Sequence, residues 1–127
     1  MNEMNYEDVV EKLLVEIPEI KSSFEKAREE WIKNPDEDDF YKVQITVFES
    51  VLTPYIIHLL KSQDEESLKR VFNFLEELTH QKDKRVRSLV AVPVMEDLEE
   101  AGYKQKARKF MKENTSSISF APHGWIV

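Results

Sequence analysis

Apolar residues recur at three- and four-residue steps along most of the chain, a spacing that predicts helix after helix. Tyr6, Val9, Val10, Leu13, Leu14 and Ile17 make the first stripe, opening after Asn5, a residue type suited to cap a helix start. Pro18 ends that helix and suits the first turn of a second, which carries Ile20, Phe24, Ala27 and Trp31 and closes near Ile32. From Phe40 to Lys61 the set Val43, Val47, Phe48, Val51, Leu52, Tyr55, Ile56, Leu59 and Leu60 keeps one helical phase. This is the most apolar segment and is expected to form the centre. Pro54 either kinks it or, with Thr53 as cap, opens a new helix.

Ser67 to Gly102 reads as a helical hairpin. Ser62-Gln63-Asp64-Glu65 has the spacing of a capping box, so a helix is predicted from there to His80, with Leu68, Val71, Phe72, Phe74, Leu75 and Leu78 inward. Asp83 is expected to cap the next helix, whose inward set is Val86, Leu89, Val90, Met95 and Leu98, bent at Pro93 and closed by Gly102. Tyr103, Ala107, Phe110 and Met111 predict a last short helix that stops at Asn114.

Two segments have no helical period. Residues 33–39, with Asn34-Pro35-Asp36-Glu37-Asp38-Asp39, read as an exposed acidic loop. They lack the glycine and distal glutamate of a calcium-binding helix pair. Residues 115–127 read as a non-helical tail ending in large apolar residues, Phe120 and Trp125 among them, that docks on the chain's own body or on a partner. The expected fold is therefore all-α: one domain over residues 1–127, a bundle of five to six helices in antiparallel hairpins.

Composition narrows the function classes. The 127 residues contain no cysteine, which removes disulfides and thiolate chemistry and suits a reducing cytoplasm. No apolar run approaches the roughly 20 residues that span a bilayer, and the acidic start of the chain does not resemble a secretion signal, so no membrane association is expected. Net charge is −7, unevenly placed: −10 over residues 1–79 and +3 over residues 80–113. The acidic total disfavours non-specific attraction to nucleic acid.

Candidate chemistry is sparse. Glu77 and His80 stand at a three-residue step, as carboxylate and imidazole do in di-iron bundles, but no second such pair exists. His58 with Glu49 would be a proton-transfer pair if buried together. Glu76 and Glu96 would be paired carboxylates if they met across the hairpin. Lys82, Lys84, Arg85 and Arg87 form one patch with Lys104, Arg108 and Lys109 only if the last two helices pack side by side. No cofactor or metal is expected.

Pro54-Tyr55-Ile56-Ile57-His58-Leu59-Leu60, Leu68-Lys69-Arg70-Val71-Phe72 and Asp83-Lys84-Arg85-Val86-Arg87 resemble helix pairs of HEAT-type repeats. The step from Asp64 to Asp83 is shorter than the roughly 40 residues of a full repeat, so the resemblance implies HEAT-like packing without a tandem array. More of the chain is similar to a family of small bacterial helical proteins that carry a domain of unknown function. The residues that carry this similarity are Ile17-Pro18-Glu19-Ile20-Lys21, Leu52-Thr53-Pro54-Tyr55-Ile56, Phe72-Asn73-Phe74-Leu75-Glu76-Glu77-Leu78 and Val94-Met95-Glu96-Asp97-Leu98. That resemblance implies a cytoplasmic bacterial protein and brings no catalytic residue. The functional expectation is a non-catalytic module that binds a protein partner, of immunity or antitoxin type. Its candidate surface comprises Lys82, Lys84, Arg85, Arg87, Lys104, Arg108, Lys109, Phe120 and Trp125. Weak nucleic-acid or phosphate binding through the basic last third is the alternative, and a metal-dependent enzyme a further one.

Overall fold

Leu68, Val71, Phe72, Leu75 and Leu78 fall on one helical face, and with Phe74 all are buried in the helix Glu65–Thr79 (α5). Each such side chain contributes about 1.5–3 kcal/mol when removed from water. The computed structural model describes residues 4–32 and 40–120, with side chains at 4–29 and 44–116. Before α5 come Val9–Glu16 (α1), Lys21–Ile32 (α2), Phe40–Val47 (α3) and Thr53–Ser62 (α4). After it come Lys84–Val90 (α6), Asp97–Glu100 (α7), Lys104–Ala107 (α8) and Glu113–Phe120 (α9). Short 3-10 turns at Tyr6–Asp8, Pro18–Ile20 and Arg108–Phe110 complete an all-helical, single-domain bundle, with no strand among the described residues. The acidic loop at 33–39 lies outside the described residues.

Two elements share the centre: α5 packs against α1, α4, α6 and α9, and the more apolar 40–61 segment packs against α1, α2, α5, α7 and residues 91–96. One cluster of buried side chains runs from Met4 to Ala107. Both interior prolines are absorbed by widened π turns, at Phe48–Leu52 just before Pro54 and at Ala91–Glu96 around Pro93. A proline cannot donate the helical bond and crowds the carbonyl one turn back, and a wider turn relieves both constraints while the helix continues. Thr53 keeps helical backbone angles, so α3 and α4 form one uninterrupted rod with no new cap. The two π turns pack on each other, and the buried Thr53 hydroxyl donates to the Pro93 carbonyl at 2.7 Å.

The helix ends explain the turns. At Ser62 the hydroxyl donates back to the His58 carbonyl, so the capping box expected there does not form. Asp64 is the cap instead, accepting from the Ser67 N–H at 3.2 Å and the Ser67 hydroxyl at 2.9 Å. The turn into it places Gln63 in the left-handed region at φ 59°, with the Asp64 N–H closing onto the Leu59 carbonyl. Asp83 caps α6 through the Arg85 N–H at 2.9 Å, as its position predicts. Gly102 takes φ +83° where the 84–100 helical segment ends. At the other edge, Glu19 binds Arg70 through both oxygens and accepts the Tyr55 hydroxyl at 2.7 Å, tying the start of α2 to α4 and α5.

The largest departure from expectation is α9. Residues 113–120 are helical, which corrects the reading of 115–127 as a non-helical tail; residues 121–127 lie outside the described residues. The sequence Glu113-Asn114-Thr115-Ser116-Ser117 has poor helix propensity. Its helix is set by a carboxylate from elsewhere in the fold.

Candidate functional site

That carboxylate is Glu76. It lies on α5 four residues after Phe72, in phase with the buried stripe, and is buried. Its Oε1 accepts the Thr115 N–H and the Thr115 hydroxyl, both at 2.9 Å, and its Oε2 accepts the Asn114 N–H at 3.3 Å. The free N–H groups at the start of α9 are therefore capped by a side chain nearly 40 residues away. Burial raises the Glu76 pKa, but the donors from Thr115, His80 and Asn114 outweigh it and hold the carboxyl below its ordinary 4.5.

His80 completes the cluster: its Nε2 sits 2.9 Å from Glu76 Oε2, and its ring is exposed, near the Asn114 amide. The partner of His80 is thus Glu76, one helical turn away, and not Glu77, which faces solvent. A histidine held by a buried carboxylate is a common base arrangement. Here the carboxylate already accepts three hydrogen bonds from α9, and the Thr115 hydroxyl donates to it instead of awaiting activation. The arrangement is suited to holding α9 in place.

The other sequence candidates separate. His58 and Glu49 are both exposed, which removes the buried pair. Glu96 is exposed while Glu76 is engaged with α9, so no carboxylate pair forms across the hairpin. Among the described residues no group of three or more His, Cys, Asp or Glu could hold a metal ion. The basic residues fall at opposite ends of α5. Arg87 donates to the Gln81 and Lys82 carbonyls at its C-terminal end, while Lys109 pairs with Glu65 at its N-terminal end, at 3.3 Å. Fifteen residues of helix put those ends about 20 Å apart. Lys104 is largely buried against Glu99. The Phe120 backbone belongs to α9, and Trp125 lies outside the described residues.

One of those residues, Arg85, borders a feature that the sequence did not reveal. Among the described residues three large apolar side chains are exposed: Val15, Ile45 and Val92. Ile45 and Val92, 37% and 44% exposed, lie together in a groove of about 260 Å³. Tyr6, Leu89 and Pro93 also line it. Arg85 is held over the Tyr6 ring at 4.9 Å by two bonds to Asp83, at 3.1 and 2.7 Å, so the charged rim is fixed in place. The signal for Glu76 was present in the sequence as a lone acid in phase with an apolar stripe. The groove had none, because it joins α3, α6 and the turn before α1.

No helix among the described residues is long and apolar enough to cross a membrane. Neither a curated protein nor a solved structure matches the chain. A family model described as "Domain of unknown function (DUF7674)" matches residues 10–123, nearly the whole chain, and the protein belongs to that family.

Proposed function

We propose that this chain is a helical protein-interaction module that acts in the cytoplasm by binding a protein partner, with no chemistry of its own. The observation that supports this reading is the pairing of Ile45 and Val92 in one groove. Isolated exposed apolar residues are ordinary on a protein surface, whereas two adjacent ones over an apolar floor form a socket for an aliphatic side chain. Arg85 and its exposed neighbour Lys84 favour an acidic residue beside that anchor. The lack of cysteine suits a reducing compartment. An immunity or antitoxin role is the narrower form of the proposal, with a toxin as the partner. A bacterial source and HEAT-like helix pairing belong to the same reading.

Paired affinity capture from the source organism tests it, using the wild-type chain and the Ile45→Glu/Val92→Glu variant as baits. One protein enriched on the wild type and lost on the variant is the expected result. Identical capture by both baits would remove the groove as the binding surface.

A further inference from the structure

We propose a second docking surface, sharing no residue with the Ile45–Val92 groove, that takes an acidic peptide segment bearing an apolar side chain. Two open cavities of about 490 and 460 Å³ adjoin between the end of α4, the first half of α5 and residues 105–112. They share Glu65, Lys109 and Phe110, and so form one trough. Among the described residues its rim carries Lys69, Lys106, Lys109 and Lys112 against one acid, Glu65, a local excess of cations in a chain whose net charge is −7.

Among the described residues most of that positive charge is not neutralised. Lys109 pairs with Glu65 at 3.3 Å, but both side chains are more than half exposed, a geometry in which an ion pair is weak. Lys106 rests over the Tyr103 ring at 5.4 Å, and among the described residues Lys106, Lys69 and Lys112 form no ion pair. The floor is apolar, with Leu60 and Leu68 on one side and Phe110 between the two cavities. Phe110 is anchored to the core by stacking on Phe72, with centroids 6.3 Å apart.

The aromatic geometry chooses between two polyanions. Single-stranded nucleic acid gains much of its affinity by stacking bases on free aromatic faces. Here Phe72 stacks against the Phe110 ring, and the Lys109 ammonium lies 5.1 Å from the ring centroid. With its ring so engaged, Phe110 is a poor platform for a base, while its edge and the neighbouring aliphatic side chains remain able to receive an apolar side chain. Carboxylates on either side of that side chain would meet the lysine rim.

Fluorescence anisotropy of the full chain at low salt tests this. The probe is a labelled peptide of aspartates and glutamates around one phenylalanine; the comparators are its asparagine/glutamine counterpart and oligothymidine. The acidic peptide should bind, weaken as salt rises, and lose about tenfold in affinity with Lys69→Glu/Lys112→Glu, both exposed positions whose folding circular dichroism can verify. The Ile45→Glu/Val92→Glu variant should bind it unchanged, which separates this surface from the groove. No binding of the acidic peptide, binding that the lysine variant leaves intact, or binding of oligothymidine in its place would each overturn the proposal.

Discussion

At the scale of single residues, Glu19 and Glu76 contribute to the acid limb of stability, alongside Asp83, which hydrogen bonds from Arg85 also hold low. Arg70 holds Glu19 down to about 2, with the Tyr55 hydroxyl assisting against a desolvation penalty. Glu76 is held below 4.5 although burial opposes it. Both pKa values are lower in the folded chain than in the unfolded one. Their stabilisation is therefore complete above pH 4.5 and is lost as pH falls, down to about 2 for Glu19. Tyr55 is the alkaline counterpart: burial and the Glu19 carboxylate raise it to about 12, so its contribution is intact below 10 and lost above it. Glu76→Gln puts an amide donor against donors and should cost about 1–3 kcal/mol in urea denaturation at pH 7. Its stability should also fall less steeply than wild type between pH 5 and pH 3. An unchanged slope would mean that Glu76 does not titrate with unfolding. Gln63 carries a backbone cost, since its left-handed angle suits glycine, and Gln63→Gly should raise stability by about 0.5–1 kcal/mol in the same assay.

At the scale of elements, α9 shows where local reading stops. The stripes of α1, α4 and α5 were legible because burial repeats with the helical period, and the Asp83 cap and the Gly102 stop were legible because their chemistry is local. α9 was not, because what caps it comes from α5 across the fold. The π turns were hidden for a related reason. The sequence signals a proline but not whether the chain kinks, breaks or widens around it, and that choice depends on the packing of the 48–52 and 91–96 segments on each other. If Glu76 sets α9, hydrogen exchange at Asn114 and Thr115 should accelerate in Glu76→Gln while the amides of α5 from Val71 to Leu75 stay protected. Equal acceleration throughout α5 would mean that Glu76 supports the core as a whole.

At the scale of the molecule, the all-helical bundle and its core follow from the apolar pattern, whereas the candidate surfaces do not. The basic residues that cluster in sequence between Lys82 and Lys109 are divided by the length of α5. The lysines that do converge join Lys69 on α5 to Lys106, Lys109 and Lys112 from a segment nearly 40 positions later. Ile45 and Val92 are likewise nearly 50 positions apart and meet only because α3 and the π turn after α6 place them on one groove. Surface function here is a product of tertiary arrangement, which the spacing of residues along one helix does not encode. For a partner seated in the groove, Val15 supplies an internal control: it is 74% exposed, more than Ile45 or Val92, yet lies outside the groove. A photo-cross-linking residue placed at position 92, 45 or 15 in living cells of the source organism tests whether a partner sits there. One discrete heavier adduct from positions 92 and 45 and none from position 15 is the expected result. The same adduct pattern from all three positions, or adducts from 15 alone, would contradict it.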